Sequence, residues 1–388
     1  MISRLPIISS CALPADILAA LVTKGRQAEE ECARLIREEL GRKYVFLTGS
    51  GICAFSLILK ALSAGNGRRE VVLPAYTAGS LAVAVISSGL RPVLCDISLD
   101  DLAIDGASLP SAISENTLAV TAVHPFGLGQ RMAGLRAAAG GAVIIEDCAQ
   151  AMGSLIEGRE AGKAGEVSFF SFNRGKNLPF PAGGCIVTDR ADIARLLEGE
   201  TAVLGRPGST LAQVFRALAF ASASNRFFYG AAYPLVRRFK EKSPPAAIAG
   251  LRMDPFCAAL GARLLPRRQE YFSARSRNGL FLIERLRMCG GVRLPVVPPG
   301  DRPVFNRLPV MFEDAGGLRR VERKLWGAGI ESSRMYLKPL HHMFGLGYGS
   351  GAFPNACYLA EHLLTLPVHP GCTTEDLERM VEVVRRWA

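Results

Sequence analysis

The sequence predicts an α/β fold: a mainly parallel, seven-stranded sheet flanked by helices, with a smaller α+β C-terminal domain. Three observations lead there. Seven short apolar runs occupy the first half of the chain without polar alternation, as in strands covered on both faces. Helical stretches separate several of these runs, the pattern of parallel β–α units. The rhythm then stops. The chain turns basic at about residue 201, and from about 246 helical stretches mix with short strand-like pieces. The expected division is 1–245 for the large domain, with a basic helical insertion at about 203–245, and 246–388 for the small one.

In chain order the strand runs are YVFLTG (44–49), VVLPA (71–75), RPVLCDI (91–97), LAVTAVHP (118–125), AVIIED (142–147), VSFFSF (167–172) and GCIVTD (184–189). Helical stretches fall at 52–64, 78–89 and 130–140, and later in FCAALGARLL, FLIERLRM, GGLRRVERKLWGAG and DLERMVEVVRRW. Open sheets of this kind bind ligands at the carboxyl ends of their strands. The first 22 residues contain Pro6, Pro14 and Asp16, which break an apolar stretch that otherwise resembles a leader, so they read as an N-terminal arm.

Composition narrows the class. Of 388 residues, 49% are hydrophobic and 21% charged, enough for a large core and incompatible with wholesale disorder. The net charge of +11 favours anionic partners. Eleven basic residues stand in 201–268 against Glu241 and Asp254, so most of that charge is local. Ten cysteines occur without a CxxC, and no His/Cys cluster has zinc spacing. Free thiols in the reducing cytoplasm, and no metal, are expected. No apolar run of about 18 residues suggests a membrane span. No recognition-helix pattern or aromatic platform points to nucleic acid.

Three short motifs carry chemistry. Gly49-Ser50-Gly51-Ile52-Cys53 follows a strand and opens a helix, where free N–H groups suit a phosphate. Taken alone, the pattern more often marks an ordinary tight βα turn. Glu146-Asp147-Cys148-Ala149-Gln150 ends an apolar strand, so Asp147 either faces a ligand crevice or caps a helix. Ser171-Phe172-Asn173-Arg174-Gly175-Lys176 carries a strand into a polar loop. A lysine there is either solvated or an amine whose lowered pKa makes it a nucleophile. Together they are the parts pyridoxal phosphate (PLP) requires: a phosphate cradle, a carboxylate for the pyridine nitrogen and a lysine for the aldehyde.

The chain resembles the DegT and StrS group of sugar-nucleotide aminotransferases, PLP enzymes of fold type I. The resemblance runs from the arm to the last helix. It rests on SGICAF, LPAYTAGSLAVAVISSGLRPVLCDISLDDLAID, VHPFG, IIEDCAQAMGS, GEVSFFSFNRGKNL, the glycine pair of AGGCIVTD, YLKPLHHM and LTLPVHPGCTTEDLERM. It implies that Lys176 carries PLP covalently and moves the proton, and that Asp147 pairs with the pyridine nitrogen. It gives Gln150 and Asn173 to the cofactor, and Ser171 with the amides of Gly51 and Ile52 to the phosphate. It aligns Tyr336 and His341 with a substrate-facing loop, and Arg174, two residues before Lys176, either binds an anionic part of the substrate or donor or is solvated. It further implies glutamate as amino donor, a nucleotide-linked keto sugar as acceptor, a role in polysaccharide or secondary-metabolite synthesis, and a homodimer. A regulatory member without turnover is the alternative. The dehydratase branch is another, but it replaces the lysine by histidine.

The chain departs from the family pattern in four places. Ile52 stands where a threonine usually meets the phosphate, with Ser50 one residue early as a substitute. Ala78 replaces a ring-stacking aromatic residue, leaving Tyr76 to cover the ring. Gly250-Leu251-Arg252-Met253 replaces an NYRM segment, and 203–245 is long. Within it, residues 210–240 are apolar, aromatic and exclusively basic in charge. That composition suits a helix pair on an anionic membrane surface, or a hairpin packed on the large domain or the dimer partner.

Overall fold

A computed structural model describes residues 3–237 and 245–388. Arg238, Lys240 and Lys242 of the basic stretch lie outside the described residues. The strands are β1 (Tyr44–Thr48), β2 (Glu70–Pro74), β3 (Arg91–Cys95), β4 (Thr117–Val123), β5 (Val143–Asp147), a two-residue hairpin β6 (Leu155–Ile156) and β7 (Arg159–Glu160), β8 (Val167–Ser171), β9 (Gly184–Thr188), β10 (Val292–Arg293), β11 (Leu308–Phe312) and β12 (Leu363–Leu366). Seven of them form the main sheet, in the order β1-β9-β8-β5-β4-β2-β3. The pairs β3–β2, β2–β4, β4–β5 and β5–β8 are parallel. Only β9 runs against its neighbours β8 and β1.

Every residue of β2, β4 and β9 is buried, which explains their lack of alternation: both faces are covered. Helix Gly51–Ser63 is apolar nearly all round and lies sunk between the sheet and helix Ala191–Ala202. The opposite face holds the helices Gly25–Leu40 and Pro255–Leu264, packed on one another. The N-terminal arm is more regular than its sequence suggested. It contains Pro14–Val22, and then Gly25–Leu40, which buries Ala28, Cys32, Ile36 and Leu40 at four-residue spacing. Ahead of them, Leu5 bridges to Ile330, so the arm is tied to the C-terminal part.

The C-terminal part is α+β. The antiparallel sheet β10-β11-β12 packs with the helices Ala315–Gly327 and Pro354–His362. Helix Thr374–Trp387 begins with a Thr373–Asp376 capping box and buries Leu377, Met380, Val381 and Val384. All ten cysteines are free, seven of them buried. Residues 210–237 form two helices, Thr210–Ala223 and Arg226–Arg237. The first buries Gln213, Ala217 and Phe220 and exposes Leu211, Phe215 and Leu218. Among the described residues no helix is long and apolar enough to cross a membrane.

Candidate active site

The carboxyl ends of β1, β2, β5 and β8 open on one cavity of about 170 Å³. Gly51, Ile52, Asp147, Gln150, Ser171, Asn173, Lys176 and Tyr336 all line it, with Thr77, Ala78 and Ser80. Residues more than a hundred positions apart thus meet because parallel strands deliver their loops to the same edge. A larger hollow of about 380 Å³ lies beside Arg136 and Glu157. Of the motif residues it touches His124 and Glu146, but none of the expected cofactor or substrate residues.

The helix start is built by close packing. Ser50 is the N-cap, its hydroxyl accepting the N–H of Cys53 at 3.2 Å. Ser50 thus caps the helix through an oxygen lone pair, and its O–H keeps its capacity to donate. The N–H groups of Gly51 and Ile52 belong to the first turn, which has no partner within the helix. A Cβ on Gly51 would lie 2.6 Å from the Ser171 Cβ, and one on Gly184 would lie 2.5 Å from the Gly51 nitrogen. Both positions must be glycine for the helix start to reach the ends of β8 and β9. The Leu251 carbonyl accepts the Gly49 N–H at 2.8 Å, which brings Gly250–Met253 to the same turn.

Asp147 ends β5. One of its carboxylate oxygens accepts the Ala149 N–H at 2.9 Å. Burial raises its pKa above the ordinary carboxylate value, against the Ala149 N–H and the charges of Lys176 and His124. Its neighbour Glu146 points to the other face of the strand. There it accepts hydrogen bonds from His124 Nε2 (2.9 Å), Gly162 N (2.7 Å), Gly165 N (2.8 Å) and Ala164 N (3.0 Å). Burial opposes ionisation of Glu146, but these donors hold its pKa at about 2. The Nδ1 of His124 accepts the Gln130 N–H at 3.0 Å. His124 Nε2 therefore carries the proton, and the group locks β5 in place.

Lys176 sits in the connection from β8 to β9. Its N–H donates to the Asn173 carbonyl at 3.2 Å, and its own carbonyl accepts Arg275 Nη2 at 3.3 Å. Gly175 takes φ +81°, a conformation that suits glycine. Burial lowers the Lys176 pKa below the ordinary lysine value, Asp147 opposes that shift and Arg307 adds to it. Gln150 Nε2 donates to the Tyr336 hydroxyl at 3.2 Å, and its Oε1 accepts Phe126 N at 3.1 Å and Asn306 Nδ2 at 3.2 Å.

Three of the expected residues do not line the cavity. Tyr76 is buried behind Tyr336, edge-on with ring centres 5.3 Å apart, and accepts the Tyr336 N–H at 3.4 Å. Arg174 is exposed. His341 donates toward the Ser350 carbonyl (3.1 Å) beside His342 and Cys357, a grouping the sequence spacing did not reveal. Sequence reasoning passed over Thr77, Ser80, Asn306 and Arg307. The first two directly follow β2 in AYTAGS, a usable signal. Asn306 and Arg307 stand in no motif; just ahead of β11 they back the cavity wall, Asn306 on Gln150 and Arg307 against Gly175.

The residues fit PLP. A half-buried lysine with a lowered pKa, a carboxylate with one oxygen free of donors among the described residues and a glycine-tight helix start with hydroxyls around it share one small cavity.

Comparison with known proteins agrees. The DegT/DnrJ/EryC1/StrS aminotransferase family matches residues 17–385. A UDP-N-acetyl-3-dehydro-α-D-glucosamine 3-aminotransferase of Acidithiobacillus ferrooxidans is 30% identical over 375 residues, covering 96% of this chain and 90% of that one. A dTDP-3-amino-3,4,6-trideoxy-α-D-glucose transaminase of Streptomyces venezuelae is 29% identical over 345 residues, covering 87% and 81%. The crystal structure of DesV from S. venezuelae superposes with a TM-score of 0.80 at 27% identity, covering 99% of this chain and 98% of that one. With PLP as the cofactor of its family and the fold-type-I sheet in place, this chain belongs to the DegT/DnrJ/EryC1/StrS aminotransferases.

Proposed function

We propose that this aminotransferase moves an amino group from glutamate to a keto sugar carried on a nucleotide, with Lys176 as the covalent anchor and proton carrier. The observation that carries the reading is the convergence of Lys176, Asp147 and the Gly51 helix start on one cavity. PLP, when bound, supplies an electron sink for the carbanion formed at the amino acid Cα. The chain's own groups do the rest. Lys176, kept toward its neutral form by burial, is a nucleophile and then a base able to move the Cα proton. Asp147, disfavoured as a lone buried anion, is stabilised by a cation and so favours a protonated pyridine nitrogen. The amides of Gly51 and Ile52 and the hydroxyl of Ser171 offer donors to the phosphate, with Thr77 and Ser80 nearby.

The reading extends to a homodimer in the cytoplasm, where ten unpaired cysteines suit a reducing environment. It also places the outer face of residues 210–237 on an acidic lipid surface. Phe215, Phe227 and Phe228 are exposed there beside Arg216, and the described part of the segment contains no acidic side chain.

Borohydride reduction followed by peptide mapping tests the anchor. The pyridoxyl group is expected on Lys176, and label on another lysine would refute the assignment. A half-reaction screen of the aminated enzyme against keto-sugar nucleotides, read by mass, tests the acceptor. Bleaching of the cofactor absorbance by glutamate separates an enzyme from a regulatory member of the family.

A further inference from the structure

Two guanidinium groups stand close to Lys176, and their surroundings differ. Arg275 is 1% exposed and acts as a strut: Nη1 donates to the Asn306 carbonyl at 3.1 Å and Nη2 to that of Lys176 at 3.3 Å. Arg307 immediately precedes β11 and has almost nothing to hold. Its one acceptor is the Met335 thioether, 3.2 Å from Nη1. Its Nε is buried without a partner, and no carboxylate among the described residues pairs with it. Arg42, Arg268, Arg275 and Arg334 also have a buried Nε without a partner, but each holds an oxygen elsewhere: Asp189, Glu39, the Asn306 carbonyl and the Ala360 carbonyl. Arg307 is partly exposed, and a guanidinium whose one protein acceptor is a sulfur keeps donors that an anion would complete.

Its position says which ligand. Nη2 lies 3.3 Å from where a Gly175 side chain would begin, and Nη1 touches Met335. The residues that follow these two neighbours are Lys176 and Tyr336, both in the cavity wall. The free edge of Arg307 is thus set beside the amine that must reach the donor's Cα. An amino acid whose Cα is held at Lys176 carries a carboxylate one bond away. Planar carboxylates are what the guanidinium fork binds in two-point fashion. We propose that Arg307 binds the α-carboxylate of the amino donor and makes the site selective for α-amino acids over other amines. Its charge also disfavours protonation of Lys176 before the donor arrives. The proposal rests on the aminotransferase reading above.

The test compares glutamate with isoglutamine, its analogue whose α-carboxylate is an amide, in the donor half-reaction followed by cofactor bleaching. The wild-type enzyme is expected to prefer glutamate by roughly 10- to 100-fold in kcat/KM, the worth of a charge-assisted pair. Arg307→Gln should raise the KM for glutamate by about that factor, leave isoglutamine nearly unchanged and keep the wild-type cofactor content. Arg307→Lys should fall between. Calorimetric binding of 2-oxoglutarate to the aminated enzyme should weaken in parallel. Equal KM for glutamate in Arg307→Gln and wild type would overturn the proposal while leaving the aminotransferase intact. If the variants do not fold, equal use of glutamate and isoglutamine by the wild type overturns it alone. Absence of bleaching with any amino acid would remove the parent reading as well.

Discussion

Gly51→Ala probes the cradle directly. The new Cβ would sit 2.6 Å from the Ser171 Cβ, 3.1 Å from its Oγ and 3.2 Å from the Phe170 carbonyl. Carbon atoms pack best at about 3.5–4.0 Å, so the clash is about 1 Å deep. Neither side yields easily, since Ser171 is held in register with Gly184 and Gly184 itself abuts Gly51. The helix start must therefore retreat by something approaching that ångström. Overpacking of this kind costs about 1–3 kcal/mol, offset by at most about 1 kcal/mol from the better helix propensity of alanine. Net destabilisation of about 1–2 kcal/mol is expected. The larger effect falls on PLP. A shift of about 1 Å removes at least one amide bond to a charged phosphate, worth about 1.5–3 kcal/mol, or roughly 10- to 100-fold in affinity. Titration of the apo-protein by absorbance, with thermal melts alongside, reads both. Adding Ser171→Gly removes the two closest contacts and should restore the melting temperature while leaving PLP binding weak. Wild-type PLP affinity in Gly51→Ala would show that the phosphate does not approach this turn.

Three further outcomes are expected. Asp147→Asn should cut transamination by about 10²–10⁴-fold. The raised Asp147 pKa means that its charge opposes folding of the apo-protein above that pKa, so at pH 7 the variant's apo-form should melt no lower than wild type. A lower melting temperature with full activity would contradict both statements. Glu146 has the opposite sign: its depressed pKa gives stability that is complete above about pH 4.5 and lost as pH falls toward 2. Glu146→Gln should accordingly cost about 2–4 kcal/mol at pH 7 and flatten the acid limb of the stability profile, which denaturant melts between pH 3 and 7 would reveal. Liposomes of acidic lipid should float the protein at low salt and release it at high salt, and trimming 210–240 should abolish the effect. No flotation at low salt would leave that face to a protein contact or to solvent.

Much of the fold was readable because burial leaves a periodic trace. All seven strands of the main sheet lie within the runs YVFLTG to GCIVTD, give or take a residue. What periodicity does not encode is which edges pair, so the reversed direction of β9 was invisible until its register was seen. Helix Gly25–Leu40 was overlooked because its buried residues are small or few, set among charged ones. In the site, Lys176, Asp147 and Gly51 stood out because each punctuates a strand end. Arg307 did not, because a missing partner is a property of the surroundings and leaves no mark on the residue's own neighbours in sequence. Ser50 and Tyr76 illustrate the same limit. Both suited a cofactor, and only the fold shows that one also caps a helix and that the other supports Tyr336.

The single reversed strand has a consequence for how the site assembles. Because β9 runs antiparallel, it closes on β8 through the short connection that carries Lys176, a local contact reached early and cheaply in chain entropy. The other side of β9 is different. It must find β1, as in Leu47 against Cys185, across well over a hundred intervening residues. Pairings at such separation are slow to form. The lysine is thus set in a locally folding unit, whereas the phosphate end waits for the most distant closure in the sheet. Hydrogen exchange on the apo-protein should find β1 and the start of helix Gly51–Ser63 opening before β8 and β9 do. PLP, by bridging the two, should slow exchange most at that outer edge.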